Sequence, residues 1–345
     1  MKKYLIFIFY PICLISLNLT ALDLERLDLE EGFSISIFAE NLDSPRQMAE
    51  GKNGTIFVGE RNGKIIALRD LDNNGQVDLK IVVAEGLTYS TGVSLFDGDL
   101  YFSEISQIWK IENIEDWIAN YSVNSELPKK ILVVDDLPDD KWHGWKWLRH
   151  DADGGLYFNV GAPCNICLSE NPQFASILKY KDGELSYVAK GVRNTVGFDF
   201  HPTSNKLYFT DNGRDWLGDD SPSCELNRLD FEGQFFGYPF THASDVVDPE
   251  FGDMNPGYDF VDPILELGAH VAPTGVSFYE GEMFPEKMRN NLFIALHGSW
   301  NRTEKVGYKL IRVEIDAEGN VLSASNFVCG GLGDEKVSGR PSGPM

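Results

Sequence analysis

Residues 54–68 read GTIFVGERNGKIIAL, in which a glycine turn precedes one apolar strand and a second turn leads into another. In each repeat of this arrangement, a further apolar strand lies upstream and another lies downstream. The further copies are GDLYFSEISQIWKI from Gly98, GGLYFNVGAP from Gly154, NKLYFTDNGRD from Asn205 and NNLFIALHGSW from Asn290. Short alternating strands that are separated by turns and repeated along a chain indicate a β-propeller with four-stranded blades.

A sixth copy begins with GRPSG at Gly339–Gly343, and the sequence stops at Met345. Segment 30–42, EEGFSISIFAENL, predicts a strand without a blade of its own, which would join the last blade and close the ring. We therefore predict an all-β fold, a six-bladed β-propeller truncated in its sixth blade. Residues 22–345 then form one C-terminally incomplete propeller domain, and a natural five-bladed ring is the alternative. Only segment 111–121, IENIEDWIANY, favours a short helix.

The N-terminal 21 residues, MKKYLIFIFYPICLISLNLTA, have a basic start, an apolar run and a small-residue exit. This pattern predicts a secretory signal peptide and a periplasmic or secreted protein. No other apolar stretch is long enough to span a bilayer, so we expect no membrane insertion. A formal net charge of −23 argues against nucleic acid as a partner. Outside the cytosol, Cys164, Cys167, Cys224 and Cys329 favour disulfides, whose pairing stays open.

The rim of the central channel is the place where the repeats bring polar side chains together. Neighbouring blade strands are antiparallel, so each inner strand begins, and each second strand ends, at the same rim. The inner strands contribute Arg46, Gln47, Thr91, His143, Arg193, Asn194, His270 and Arg340. The second strands contribute Arg61, Glu104, Pro163, Cys164, Gly213, Arg214 and His297. Several arginines at one rim of an acidic protein predict a pocket for an anionic ligand.

His143 lies within this pocket and is surrounded by tryptophans in the sequence KWHGWKW. Its alternative role is packing between blades. A second pattern, RDLDNNGQVD at 69–78, matches the first part of a calcium-binding loop. Its candidate ligands for a structural calcium ion are Asp70, Asp72, Asn74, Gln76 and Asp78. A polar hairpin turn is the alternative, because Asp, Asn and Gly also favour turns.

Five longer motifs resemble the sugar dehydrogenases that depend on pyrroloquinoline quinone (PQQ), nearest to the L-sorbosone and pyranose dehydrogenase branch. These motifs are KWHGWKWLR at 141–149, GVRNTVGFDFHP at 191–202, LYFTDNGRDWLGDD at 207–220, HVAPTGVSFYEG at 270–281 and LFIALHGSWNR at 292–302. The resemblance covers nearly the whole chain after the signal peptide. It implies a six-bladed propeller that holds PQQ and calcium at the channel mouth.

The resemblance also implies a role for particular residues. His143, which follows Leu137–Pro138, matches the catalytic base of the family. The backbone of Gly213 and Arg214 matches the loop that binds the PQQ-linked calcium. The residues expected to contact the cofactor are Arg46, Arg193, Asn194, Arg214, His297, Arg302 and Arg340. The GAPCNIC motif of this branch implies a disulfide at the rim between Cys164 and Cys167, with two packing thiols as the alternative.

The function implied is the oxidation of an aldose or related sugar, similar to L-sorbosone. His143 removes the hydroxyl proton while a hydride passes to the calcium-bound quinone, and an external electron acceptor completes the cycle. An unperturbed histidine has a pKa of about 6.5, which suits a general base. The alternatives are a calcium-dependent propeller lactonase, which would need carboxylates around one ion, and a propeller that serves as a non-catalytic binding platform.

Overall fold

The computed structural model describes residues 24–333, 336–337 and 339–345. The predicted signal peptide lies outside the described residues. A 3-10 turn at Leu24–Arg26 and strand β1 (Asp28–Leu29) precede five antiparallel sheets of four main strands each. These sheets are the blades of a β-propeller. The prediction of an all-β propeller is therefore confirmed.

The first three blades follow one another directly along the chain. Blade one contains β2 (Pro45–Glu50), β3 (Ile56–Glu60), β4 (Lys64–Arg69) and β5 (Leu79–Ala84). Blade two contains β6 (Val93–Phe96), β7 (Asp99–Ser103), β8 (Ile108–Ile111) and β9 (Ile131–Val134). The short helix α1 (Ile114–Ala119) lies between β8 and β9, as the sequence predicts. Blade three contains β10 (Leu148–His150), β11 (Leu156–Val160), β12 (Ser176–Lys181) and β13 (Glu184–Lys190).

Blade four carries a long insertion before its outer strand. It contains β14 (Phe198–Phe200), β15 (Leu207–Asp211) and β16 (Ser223–Leu229). The insertion holds β17 (Gln234–Phe235), β18 (Thr241–His242), β19 (Val246–Val247) and a 3-10 turn at Gly252–Met254, and β20 (Leu265–Ala269) completes the blade. Blade five contains β21 (Pro273–Phe278), β22 (Leu292–Leu296), β23 (Lys309–Ile315) and β24 (Val321–Cys329), with a 3-10 turn at Glu286–Met288. A hairpin of β25 (Leu332–Gly333) and β26 (Lys336–Val337) follows.

The apolar core lies between neighbouring blades. The second strands β3, β11, β15 and β22 are buried along their whole length, because a blade packs against each of their faces. This explains why these strands are nearly continuous apolar runs in the sequence. One cluster joins blades one and two around Phe57 and Phe102, and another joins blades four and five around Tyr208 and Ile294.

The described residues form five blades, so the predicted number of six is corrected to five. The segment 339–345, where the sixth copy begins, lies in the gap between blades five and one. Gly343 contacts Gly275 of β21 on one side and the Arg46 carbonyl on the other. This segment forms no ladder, and its prolines Pro341 and Pro344 have no N–H to donate to one.

The prediction of a closing strand at 30–42 is wrong, because this segment crosses the same gap without strand structure. Phe33 packs edge to face against Phe284 and Phe327 of the fifth-blade region, with ring centroids 4.9 and 4.8 Å apart. Phe38 and Leu42 pack against the apolar face of blade one. The apolar alternation that predicted a strand therefore serves side-chain packing. The strand that joins the last blade is β1, which pairs with β24.

Buried side chains also connect the inner strands of different blades. Gln47 of β2 is 2% exposed. Its Nε2 donates to the Leu148 carbonyl at 2.6 Å, and its Oε1 accepts from the backbone N–H of Leu148 at 2.9 Å and of Val93 at 3.0 Å. One amide thus joins blades one, two and three. None of the described helices is both long enough and apolar enough to cross a membrane.

Candidate functional site

The starts of the inner strands surround a cavity of about 260 Å³ at one mouth of the channel. Residues from all five blades and from segment 339–345 line it. Five of the predicted site residues are in its wall, namely Arg46, His143, Asn194, His297 and Arg340. Among the described residues that line this cavity, none carries a carboxylate. The cavity therefore has the cationic character that the sequence predicts for an anionic ligand.

His143 is held in one orientation and one tautomer. The backbone of His143 has a φ of 52°, which is left-handed. Gly161 makes room for His143, because a Cβ at position 161 would lie only 2.6 Å from the His143 Cβ. Its Nδ1 lies 2.9 Å from the Ala162 carbonyl oxygen. A carbonyl only accepts hydrogen bonds, so Nδ1 carries the proton and Nε2 keeps its lone pair. Burial and repulsion from Arg193 lower the pKa of His143 to about 3, which keeps the ring neutral near pH 7.

His297 repeats this arrangement on the opposite wall. Its Nδ1 lies 2.9 Å from the carbonyl oxygen of Pro341, so its Nε2 also keeps a lone pair. Burial lowers the pKa of His297 to about 4. The cavity thus contains two neutral imidazoles, each fixed by a backbone carbonyl.

Two guanidinium groups lie at the cavity mouth. The Arg46 Cζ is 5.5 Å from the ring centroid of Trp145, and the Arg340 Cζ is 5.4 Å from that of Tyr308. Burial lowers the pKa of Arg46, and repulsion from Arg61 and Arg340 lowers it further. In the part of the chain that the structure describes, neither Arg46 nor Arg340 is paired with a carboxylate. Arg340 donates to the Gly298 carbonyl at 2.8 Å and Arg46 to the Pro45 carbonyl at 3.0 Å, and these neutral acceptors leave both charges without a counter-ion among the described residues.

Lys146 is a third cation in the cavity wall, and the sequence analysis missed it. It is 3% exposed, and its Nζ donates to the Gly144 carbonyl at 3.0 Å. Burial lowers the pKa of Lys146 to about 7. The available signal was its position just before an inner strand, where both faces of the chain are covered. From residue type alone, a lysine between two tryptophans is expected to be exposed.

Asn194 supplies an unsatisfied polar atom. Asp211, at the end of β15, accepts from the backbone N–H of Arg193 at 2.7 Å and of Asn194 at 2.6 Å. This carboxylate fixes the turn that leads into β14. The Oδ1 of Asn194 is buried and has no hydrogen-bond partner among the described residues. Because a buried polar atom without a partner is costly, it is a natural acceptor for a donor on a bound ligand.

Asp211 itself belongs to a buried pair of carboxyl groups. Glu225 of β16 lies directly opposite Asp211 in the antiparallel ladder. Burial raises the pKa of both groups, and repulsion between them raises that of Glu225 further. Glu225 accepts from the Ala243 backbone N–H at 2.7 Å and from the Asn227 amide at 2.8 Å.

Arg193 lies outside the cavity wall, which differs from its predicted contact with the cofactor. Its guanidinium donates to the backbone and side-chain oxygens of Asn165 at 2.8 and 2.9 Å, and to the Asn212 carbonyl at 3.0 Å. Through these bonds the guanidinium connects the rim loop that carries Asn165 with the rim loop that carries Asn212. Asn165 lies within the Cys164–Cys167 disulfide, which the structure forms. Cys224 and Cys329 are free.

The side chains of Arg214 and Arg302 also lie outside the cavity wall. Arg214 is buried, and its Nη1 donates to the Asp248 carboxylate at 2.5 Å, which His242 also contacts at 2.9 Å. Arg302 donates to Asp220 at 2.8 Å and lies in an adjoining groove. Neither guanidinium is directed at the cavity, because each is already paired with a carboxylate. Gly213 lies at the rim, where a Cβ would contact Pro222 at 3.0 Å.

The loop predicted to bind calcium gathers three carboxylates. Oxygens of Asp70, Asp72 and Asp78 lie within 4.8 Å of one another. Asp70 accepts from the backbone N–H of Gly75 at 2.8 Å and of Asn74 at 3.2 Å, and these bonds lower its pKa. The Asn74 side chain is bonded to Asp72 at 3.0 Å.

Comparison with known proteins gives matches along nearly the whole chain. The TrAA12-like family model matches residues 240–327. An uncharacterized protein of Borreliella burgdorferi is 35% identical over 328 residues, which cover 91% of this chain and 84% of that protein. A PQQ-dependent pyranose dehydrogenase of Coprinopsis cinerea is 24% identical over 339 residues, which cover 84% of this chain and only 45% of that protein. This chain therefore spans less than half of the fungal protein.

The structure of the PQQ domain of the Coprinopsis cinerea pyranose dehydrogenase, in its holo form, has the same fold. It superposes with a TM-score of 0.72 at 19% identity and covers 92% of this chain and 91% of that domain. This likeness shows that the two proteins share the β-propeller fold. The chain belongs to the same family as the Borreliella burgdorferi protein, and the TrAA12-like match lies within its fourth and fifth blades.

Proposed function

We propose that this protein is a PQQ-dependent dehydrogenase that oxidises an aldose or a related sugar similar to L-sorbosone. The observation that carries the proposal is His143, a neutral imidazole in the wall of a cationic cavity with its Nδ1 bonded to a carbonyl. A fixed base beside cations that have no carboxylate partner suits proton removal from a substrate next to an anionic cofactor. The sugar dehydrogenases among its relatives support the same chemistry.

The cavity residues fit PQQ, which is flat and carries three carboxylates. Arg46, Lys146 and Arg340 would pair with these carboxylates, and the unsatisfied Oδ1 of Asn194 would accept from a ring donor. His297 would contact the same group from the opposite wall. When bound, PQQ supplies the two-electron acceptor that a hydride-forming oxidation needs, and an external electron acceptor must then regenerate it.

In this mechanism His143 positions the sugar and takes one proton. Its Nε2 would accept the proton of the C1 hydroxyl while a C=O bond forms at C1, and the hydride released from C1 would pass to the two-electron acceptor that PQQ supplies when bound. The imidazolium that results is stabilised by the Ala162 carbonyl, which accepts from Nδ1. The apolar walls formed by Trp145 and Trp147 exclude water from this proton transfer.

Calcium has two proposed positions. The backbone carbonyls of Gly213 and Arg214 would hold an ion beside the cofactor, where it polarises a quinone carbonyl. The ligands proposed for a structural ion at the exposed loop are Asp70, Asp72, Asn74, Gln76 and Asp78. Hard oxygen donors of this kind suit calcium.

We also propose that the protein acts outside the cytosol, in the periplasm or as a secreted protein. The Cys164–Cys167 disulfide supports this location, because disulfides persist in oxidising compartments. The assignment of residues 1–21 as a signal peptide and of residues 22–345 as one propeller domain remains part of this proposal.

Reconstitution tests the proposed function. The protein is incubated with PQQ and increasing CaCl₂, and reduction of a dye is followed with a panel of aldoses and L-sorbosone. We expect sugar-dependent reduction that requires both additions and falls by at least about 10²-fold in His143→Ala, the usual size of a general-base contribution. The matched control is His150→Gln, because His150 is also a half-buried histidine and lies at the far end of β10. Absence of PQQ binding by the folded protein would exclude the proposal and favour a lactonase or a binding platform.

A further inference from the structure

A shallow groove of about 430 Å³ adjoins the cavity mouth. Two loops form it, residues 216–219 after β15 and residues 300–303 after β22. Trp300 lines both the groove and the cavity, so the two spaces are neighbours at this indole. A ligand that leaves the cavity past Trp300 would enter the groove.

Two tryptophans dominate the groove and are unusually exposed. Trp216 is 69% exposed and Trp300 is 65% exposed. Their rings meet edge to face, with centroids 5.6 Å apart and planes at 87°, so this contact leaves most of both indole faces open to solvent. Leaving large apolar faces in water forfeits the stabilisation that burial would give. Trp216 also has a φ of 72°, a left-handed conformation that is rare for a bulky residue and typical of functional positions.

The polar side chains of the groove are bonded within the protein. Asn301 donates to Asp215 at 2.6 Å, and Arg302 donates to the Asp219 carbonyl and to Asp220. The Oδ1 of Asn301 and the Nε of Arg302 have no partner among the described residues, but both atoms are buried beneath the groove surface. The charge of Arg302 is offset by Asp220 at 2.8 Å, so the groove does not select an anion. Open indole faces beside planar polar groups suit an uncharged ligand with one apolar face and several hydroxyl groups.

We infer that this groove is a second saccharide subsite and that the preferred substrate is an oligosaccharide. This inference deepens the proposed function and rests on it for the identity of the first subsite. The reducing-end ring occupies the cavity beside His143. The next ring lies along Trp300 and Trp216, with its C–H face on the exposed indoles.

The inference is tested by calorimetric binding of glucose, cellobiose, maltose and cellotriose to the protein without PQQ, which separates binding from catalysis. We expect at least one disaccharide to bind about tenfold more tightly than glucose, equivalent to about 1.4 kcal/mol. In Trp216→Gly this preference for the disaccharide over glucose should fall to less than about twofold. Glycine accepts a positive φ without strain, so this variant removes the indole and preserves the fold. The control is Phe231→Ala, which removes another exposed aromatic ring, one 68% exposed on the turn after β16.

Two results would overturn the inference: equal affinity of the wild-type protein for glucose and the oligosaccharides, or an unchanged preference in Trp216→Gly. Failure of the proposed function is distinguishable from both. If disaccharide binding requires Trp216 but no sugar is oxidised after reconstitution, the subsite stands and the dehydrogenase proposal fails. If aldoses are oxidised and the ratio of KM values for cellobiose and glucose is the same in Trp216→Gly, the dehydrogenase stands and the subsite is wrong.

Discussion

The chemistry of His143 depends on a single backbone acceptor. The Ala162 carbonyl bonds Nδ1 at 2.9 Å and so directs the basic Nε2 away from the backbone. The N–H of Ala162 in turn donates to the Arg193 carbonyl at 2.8 Å. The backbone of Arg193 therefore helps to fix Ala162, the residue whose carbonyl orients the proposed base. We propose a positioning role for Arg193, and its contact with the cofactor stays a prediction.

Lys146 is the residue whose replacement separates stability from cofactor binding. In Lys146→Met we expect the free energy of unfolding at pH 7 to rise by at least about 1 kcal/mol, because a buried charge without a carboxylate partner is removed. The pKa of Lys146 is lowered to about 7 in the folded protein and is about 10.4 when unfolded. The gain should therefore be full below pH 7 and should shrink as the pH rises towards 10. Urea unfolding at pH 7 and pH 9 measures it.

The same variant should bind PQQ about tenfold more weakly, because one of three cations is lost. Lys141→Met is the matched control, since Lys141 is exposed in the same segment. Greater stability with unchanged PQQ affinity would show that Lys146 does not contact the cofactor.

The turn that carries Asn194 is held by Asp211 at the end of β15, and Glu225 of β16 lies opposite this aspartate. The paired Asp211 and Glu225 have raised pKa values in the folded protein because they are buried together. A proton on Glu225 relieves the repulsion between the two carboxyl groups, and Asp211 still accepts the backbone hydrogen bonds of Arg193 and Asn194. The blade therefore depends on a proton that is retained near neutral pH.

This pair predicts a loss of stability at alkaline pH. A carboxyl group whose pKa is raised by folding keeps its proton up to a higher pH in the folded state than in the unfolded state. Its stabilising effect is complete below the unfolded pKa and is lost as the pH rises through the folded pKa. In Glu225→Gln the free energy of unfolding should decrease less between pH 6 and pH 9 than in the wild-type protein. The difference should be up to about 1.4 kcal/mol for each pH unit over which the wild-type protein loses this proton.

Denaturant unfolding at pH 6 and pH 9 checks this slope. Glu266→Gln is the control, because Glu266 is the neighbour of Glu225 on β20 and has a lowered pKa. An identical pH slope in Glu225→Gln and the wild-type protein would contradict a shared buried proton.

At the scale of the whole molecule, the blades are joined near the channel by a few polar side chains. Gln47 connects three of them, as described above. Asp199 of β14 accepts from Arg149 at 2.6 Å and from the backbone N–H of Phe278 at 2.9 Å, and so joins blades three, four and five. Because Gln47 and Asp199 are buried and each connects three blades, both should matter for global stability.

Gln47→Met should lower the free energy of unfolding by about 3 kcal/mol or more. Three backbone groups lose their partner in a buried position, and each costs about 1–3 kcal/mol. Chemical denaturation measures the change. Gln107→Met, which removes only an exposed bond to Asp135, should change stability by less than about 0.5 kcal/mol. Equal effects of the two substitutions would show that the contacts between blades add little.

The blades and the rim could be predicted because their signals are local. Each strand is a short apolar run between turns, and antiparallel pairing fixes which strand ends meet. This was sufficient to bring Arg46, His143, Asn194, His297 and Arg340 to one cavity. The predicted disulfide between Cys164 and Cys167 also formed.

What could not be predicted depends on contacts between distant segments. The guanidinium of Arg193 turns away from the cavity because Asn165, from a separate loop, supplies two acceptors. The burial of Lys146 depends on how neighbouring inner strands close around it. Segment 30–42 has the alternation of a strand, but the position between blades five and one offers it aromatic rings and no free ladder.

The passage of segment 30–42 between the first and last blades has a consequence for how the ring opens. Aromatic contacts of Phe33 and apolar contacts of Phe38 hold this segment between blades five and one, which we call the seam. The segment is not part of a sheet ladder, and its backbone bonds there are isolated, from the Glu30 N–H to the Phe327 carbonyl and from the Val77 N–H to the Phe38 carbonyl. Interactions of this kind weaken on cooling, whereas backbone ladders do not depend on hydration in the same way. The seam should therefore be the part of the ring that is most sensitive to cold, and it should be the first place where amide protons exchange with solvent.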